Sequence, residues 1–282
     1  MLKHIKELEK RSNQGRTEYI KNYLKLAGVS FEIQKFRQRI LNGENIIITD
    51  FCKQDDQAQL LLTAHTNKYF SSPGANDNAS GVVVLLNVID QLKALNLDNS
   101  LNTKIVFFDH EDGLAYIDGS TYFVNHTDSS KISFVFNLDG VGVGNAATIS
   151  PKITESTVSI YTNYILELLK KLDIKYFSFD LPPLLIEDHI PFTDKNVPAI
   201  SFNLMPEGDL DYLINMERKS SLLKLKEVLW YRGINRKKHP MFIMRHRHND
   251  WDISEYIDKL SLELCKKIVM DVIKFHRGRS NN

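Results

Sequence analysis

Apolar residues recur along the chain in two patterns that alternate with one another. Leu60–Ala64 (LLLTA), Lys104–Asp109 (KIVFFD), Ile132–Asp139 (ISFVFNLD) and Pro198–Leu204 are short and nearly continuous in apolar residues, as strands covered on both faces are. Ser80–Leu95, Thr154–Leu172 and Ser254–His276 instead space their apolar residues at helical intervals, which predicts helices. The N-terminal stretch reads as one amphipathic helix stopped near Gly28, since glycine tolerates the left-handed turn that ends a helix. Phe31–Phe36 and Glu44–Thr49 read as two strands joined by a turn at Asn42-Gly43, and Ala147–Ser150 and Ile174–Phe179 as two further short strands.

Strands alternating with helices imply the α/β class: a three-layer sandwich whose central mixed, largely parallel sheet is flanked by helices. No linker or repeat divides residues 1–282, so a single domain is expected. Residues 207–247 fit this alternation poorly. They are rich in Lys and Arg, contain a helix-like piece at Ser220–Trp230, and separate the last core strand from a late histidine. They read either as a lid or oligomer contact, or as a solvated surface insertion.

Composition narrows the classes. Thirty-six Lys and Arg against 35 Asp and Glu leave a net charge of +1, which supplies no field for a nucleic-acid partner. Cys52 and Cys265 are the only cysteines and read as free thiols of a reducing compartment. The first residues are charged throughout, without the apolar core of a signal peptide, and no run reaches membrane-spanning length. The expectation is a cytoplasmic protein without a membrane partner.

Candidate chemistry collects where the buried strands end. LLLTA runs into His65, KIVFFD into His110, Glu111 and Asp112, and ISFVFNL into Asp139; the loop PGANDNASG carries Asp77, and RHRHNDWD carries His248. In open α/β sheets ligands bind at the carboxyl ends of strands. A single Asp there is ordinarily a turn former or cap; only the set is informative. Two histidines with several carboxylates and no thiolate are the donors of catalytic zinc.

These segments resemble the zinc exopeptidases of metallopeptidase family twenty-eight, which includes bacterial leucyl aminopeptidases and has the glutaminyl cyclases as close relatives. The resemblance runs from about Gly15 to Phe275. It is carried in order by AHTN (Ala64–Asn67), PGANDNASGV (Pro73–Val82), FFDHEDGL (Phe107–Leu114), NLDGVG (Asn137–Gly142), EDHIPF (Glu187–Phe192) and HNDWD (His248–Asp252). It implies the zinc-dependent exopeptidase fold and one or two zinc ions. Asp77 would bridge the ions, with His65 and Asp139 completing one site and Asp112 and His248 the other. Glu111 would be the general base. An alternative alignment makes His110 the base and Glu111 the ligand. Asp188 would hold the free amino terminus of a peptide substrate, or cap the short helix after it; Asp252 would support His248 from behind, or cap a helix.

The pattern departs at three places. Asn67 stands where the family has an Asp that orients the first histidine, which puts the His65 site in doubt. Asp112 replaces the usual Glu. Arg247 stands where a cyclase would carry Trp. The function implied is an aminopeptidase that removes the amino-terminal residue of peptides with metal-activated water. The alternatives are a single-zinc glutaminyl-peptide cyclotransferase and a non-catalytic binding module on the same fold. Oligomeric state is not legible.

Overall fold

The computed structural model describes residues 1–38, 41–52, 58–97, 101–110, 119–155, 157–180, 187–219 and 239–280. Eight strands form one sheet: β1 (Phe31–Gln38), β2 (Leu41–Ile48), β3 (Gln59–His65), β4 (Thr103–Phe108), β5 (Ile132–Leu138), β6 (Ala146–Ser150), β7 (Tyr176–Ser178) and β8 (Ala199–Met205). Their order is β1-β2-β4-β3-β5-β8-β6-β7. The four central strands, β4-β3-β5-β8, are mutually parallel. Antiparallel pairs β1-β2, β2-β4 and β6-β8 make the sheet mixed, as the alternating pattern implied.

The main helices are α1 (Leu2–Glu9), α2 (Asn13–Leu26), α3 (Gly81–Ala94), α4 (Gly119–Asn125), α5 (Ile160–Lys171), α6 (Ile190–Thr193), α7 (Glu207–Glu217), α8 (Phe242–His246) and α9 (Lys259–Ser280). Side chains on β3 alternate between two cores. Leu60, Leu62 and Ala64 pack with residues of α1, α2, α3, α5 and α9, whereas Leu61 packs with Phe123 of α4 and Phe192 of α6. A strand buried on both faces needs apolar residues at every position, which accounts for LLLTA. Its neighbour α3 is apolar around most of its circumference because it lies between β3 and α9.

Several boundaries differ from the sequence reading. The N-terminal helix is two helices; Ser12 accepts the N–H of Gly15 and starts α2 afresh. Asn42-Gly43 is not the turn. Both residues lie within β2 opposite Arg37 and Phe36, and the connection falls at residues 39–40, outside the described residues. Gly43 is required instead by the Phe36 ring, which lies over its Cα. The helix expected from Thr154 begins at Ile160, because the Ser159 hydroxyl caps it by accepting the Thr162 N–H.

Of residues 207–247, the expected helix at 220–230 lies outside the described residues. The described ends form a small packed unit: Leu210, Met241, Ala146 and Met205 share an apolar cluster. The buried Asp209 carboxylate accepts the N–H groups of Phe242 and Ile243, both at 2.8 Å. That satisfies two free donors at the start of α8, and α8 delivers Arg247 and His248.

Candidate metal centre

In this topology β3 connects onward towards β4, and β5 connects onward in the opposite direction along the sheet. The crevice between two such strands is where open α/β sheets bind ligands. His65 is the last residue of β3, and Asp139 directly follows β5. Asp77 reaches the same crevice from the turn Ala75–Ser80. The three residues are 1%, 4% and 2% exposed, respectively, and can offer one ligand atom each within 4.8 Å of one another. His65 Nε2 lies 3.2 Å from Asp77 Oδ1 and 3.7 Å from Asp139 Oδ1.

The Asp77 turn is held by a polar staple to the loop after β5. Asn78 donates to the Leu138 carbonyl at 2.7 Å, and its side-chain oxygen accepts the N–H of Gly140 and of Gly81. Asn76 accepts the N–H of Gly142, and Ser80 accepts that of Val141. The sequence NDNAS thus carries one candidate ligand and three residues that fix its place against Asp139.

Two further supports come from distant sequence. Arg16 of α2 is 1% exposed. Its guanidinium donates to the carbonyls of Leu8, Thr66, Pro73 and Gly74, tying the end of β3 to the Asp77 loop. Gly74 has φ +65°, and a Cβ there would lie 2.9 Å from the Arg16 guanidinium and 2.8 Å from the Asp77 carbonyl oxygen, so this close approach requires glycine. Asp252 accepts the N–H of Asn76 at 2.6 Å and of Asp77 at 3.1 Å. It anchors the Asp77 backbone, a role that neither reading made for it anticipated. Burial and then the charge of Asp77 push the Asp252 carboxyl up to about 7, opposed by the two N–H donors.

A main-chain group takes the place of the carboxylate that Asn67 lacks. The main-chain carbonyl of Asn67 lies 3.2 Å from His65 Nδ1. With its proton on Nδ1 donated there, His65 directs the Nε2 lone pair at Asp77 and Asp139. A main-chain carbonyl orients the ring and sets its tautomer, so the missing carboxylate is not needed for that purpose. A nitrogen lone pair facing carboxylate oxygens calls for a cation between them, and the His/Asp/Asp donor set suits zinc.

His248 approaches from the other side. Its Nε2 is 3.0 Å from Asp77 Oδ2, and its ring stacks on Tyr69 at 4.9 Å. Beside it, Arg247 donates from Nε to Asp77 Oδ2 at 2.6 Å and places Nη2 3.4 Å from Asp139 Oδ2. Burial alone would raise the Asp77 carboxyl, but the Arg247 guanidinium and His248 hold it well below the usual carboxylate range. The sequence reading noted Arg247 only as a departure from Trp.

Glu111 and Asp112, assigned as base and ligand, lie outside the described residues. The flanks of that segment are joined. The Gly119 N–H donates to the Asp109 carbonyl at 2.8 Å, and the Asn45 side chain accepts from Asp109 N–H while donating to the Gly119 carbonyl. His110, the alternative base, has Nε2 3.0 Å from the Asn42 carbonyl and packs edge-on to Phe36, which engages it with the β1-β2 hairpin. Asp188 is fully buried, and its expected helix cap is not formed: His189 is the N-cap of α6, with no side-chain cap. Neighbouring Glu187, which sequence reasoning passed over, lies 3.4 Å from His189 Nδ1. Burial would raise its carboxyl, yet His189 and then Arg247 hold it below the ordinary value.

Known proteins resemble this chain in sequence and in fold. A Bacillus subtilis aminopeptidase, YwaD, is 27% identical over 204 residues, covering 66% of this chain and 43% of that protein. A Saccharomyces cerevisiae vacuolar membrane protease is 31% identical over 132 residues, 46% of this chain and 13% of its own length. The chain therefore spans less than half of these relatives. Among solved structures, a Porphyromonas gingivalis glutaminyl cyclase covers 97% of this chain and 96% of its own, with a TM-score of 0.68 at 20% identity. A zinc aminopeptidase from Bacillus subtilis covers 82% and 49%, with a TM-score of 0.55 at 22% identity. These likenesses show a shared fold, and a family model, Peptidase family M28, matches residues 45–273. By that match, which takes in the described candidate ligands and most of the sheet, the chain belongs to peptidase family M28.

Proposed function

We propose that the chain removes amino-terminal residues from peptides by zinc-dependent hydrolysis. The observation that carries this reading is the convergence of His65 Nε2 with the Asp77 and Asp139 carboxylates at the carboxyl rim of the sheet. Family membership supports a hydrolase. His65, Asp77 and Asp139 would hold the ion, and Asp112 and His248 are the donors left for a second. An ion bound there supplies a Lewis acid that polarises a carbonyl and makes water more acidic.

The remaining work falls to side chains. Glu111, which follows β4, takes the proton of the attacking water and passes it to the leaving amine. Buried Asp188 pairs with the positively charged amino terminus, which selects the end of a peptide over its interior. The main-chain carbonyl of Asn67 keeps the His65 ring in the tautomer that leaves Nε2 free to bind.

A second reading is cyclisation of amino-terminal Gln with release of ammonia. The position of Arg247 favours it in one respect, because that side chain lies where a second ion would bind and the cyclotransferase reading needs only one. The test is direct. Zinc-loaded protein is given amino-acid p-nitroanilides and a Gln-peptide, and both free amino acid and ammonia are measured. Amino-acid release that chelation abolishes is expected. Ammonia release from the Gln-peptide without amino-acid release would replace hydrolysis by cyclisation.

A further inference from the structure

We infer that Arg247 is a built-in cation filling one of the two metal positions, so that the site takes a single zinc at His65, Asp77 and Asp139. The inference rests on the metal reading above but not on which reaction follows. The two carboxylates are divided between two partners. Their Oδ1 atoms face His65 Nε2, and their Oδ2 atoms face the Arg247 guanidinium. A second ion would have to bridge Asp77 Oδ2 and His248 Nε2, which lie 3.0 Å apart. Arg247 Nε is 2.6 Å from the first of these atoms and 3.3 Å from the second, donating towards both.

Zinc binds carboxylate oxygen and imidazole nitrogen at roughly 2.0–2.2 Å. An ion and a guanidinium nitrogen cannot both occupy the space between those two atoms. Charge argues in the same direction. A guanidinium does not deprotonate at any working pH, so it is a permanent cation on Asp77 and Asp139. Beside it a second dication would meet like charge at close range.

The local backbone explains how consecutive residues reach one oxygen. Arg247 ends α8 in an extended conformation, and His248 takes φ +59°. The chain turns back there, so both side chains converge on Asp77 Oδ2. Stacking on Tyr69 holds the His248 ring in that position, and the cap that Asp209 provides to α8 fixes the helix behind it.

The experiment counts zinc per chain, by metal analysis and by calorimetric titration with zinc alone, for the unaltered protein, Arg247→Gln, His248→Ala and the double variant. One zinc is expected for the unaltered protein, two for Arg247→Gln and one again for the double variant. In the otherwise unaltered protein, His248→Ala should still bind one zinc, because His65, Asp77 and Asp139 hold the ion. Two zincs in the unaltered protein, one in a folded Arg247→Gln, loss of the zinc from a folded His248→Ala, or no zinc binding at all would each overturn the inference. Failure to release amino acids with one zinc bound would overturn the hydrolase reading and leave this one standing.

Discussion

Two buried histidines stand at opposite ends of the sheet. His65 closes β3 at its carboxyl end, and His276 of α9 reaches the amino end of β4 through the carbonyl of Asn102. Each is 1% exposed, and each places one ring nitrogen beside a main-chain carbonyl, at 3.2 Å for His65 and 3.1 Å for His276. They differ at the other nitrogen. His276 Nδ1 faces the Tyr161 hydroxyl at 2.7 Å, a group that donates a proton and completes a neutral ring. His65 Nε2 faces the oxygens of Asp77 and Asp139, groups that have no proton to give. Burial and the first hydrogen bond do not separate a structural histidine from a ligand; what stands opposite the second nitrogen does.

The comparison breaks most completely if the carboxylate opposite His65 is removed. Asp77→Ala should lower zinc affinity by more than about 100-fold, beyond the 10–100-fold typical of losing an outer hydrogen-bonding partner. Tyr161→Phe, the equivalent deletion opposite His276, should leave zinc affinity unchanged. Calorimetric titration with zinc reads both, and equal affinities for Asp77→Ala and the unaltered protein would remove Asp77 from the site.

A smaller effect is expected one step further out. Asp252→Ala leaves the buried N–H groups of Asn76 and Asp77 without their acceptor, and each unsatisfied group costs about 1–3 kcal/mol. Zinc affinity should fall about 10–100-fold, with a loss of stability of about 2 kcal/mol in chemical denaturation. Asp252→Asn, which keeps an acceptor oxygen, should recover part of both. Unchanged zinc affinity in Asp252→Ala would mean that Arg16 and Asn78 hold the Asp77 loop without it.

The strand ends at His65 and Asp139 were legible because a doubly buried strand announces itself by its apolar run and stops at the first polar residue. Asp77 was legible through the composition of its loop. The supports were not, since each acts across a long stretch of chain. Arg16 binds carbonyls of residues 66, 73 and 74, and Asp252 binds N–H groups 175 and 176 residues away. Nothing in the local pattern around either residue signals this. Asn67 shows the same limit in reverse. Its side chain suggested a weakened site, while its main-chain carbonyl, which any residue would supply, orients His65. Arg247 is the clearest case: in sequence it is one cation in a basic stretch, and only the turn at His248 brings it onto Asp77 and Asp139.

The smallest effect belongs to the far end of the sheet and depends on pH. Burial lowers the pKa of His276 below its ordinary 6.5, aided by nearby Arg279 and opposed by the Asn102 carbonyl. The unfolded chain therefore takes up a proton below pH 6.5 that the folded chain resists. In that window the unfolded state binds more protons, so stability falls as pH drops through 6.5 towards the lower folded value. Above that window His276 adds no slope. Asp252, pushed up to about 7 in the fold, takes up a proton in the same window and acts in the opposite sense, so the His276 contribution is read as a difference between two proteins. Between pH about 7 and about 5.5 the melting temperature of metal-free His276→Gln, which keeps an N–H for Asn102 but does not titrate, should rise relative to that of the unaltered protein. His4, also lowered by burial, contributes to both proteins and cancels in the comparison. Superimposable profiles would show that His276 is protonated as readily inside the fold as outside it. In that case the Tyr161 hydroxyl would have turned to accept, and the contrast with His65 would rest on the carboxylates alone.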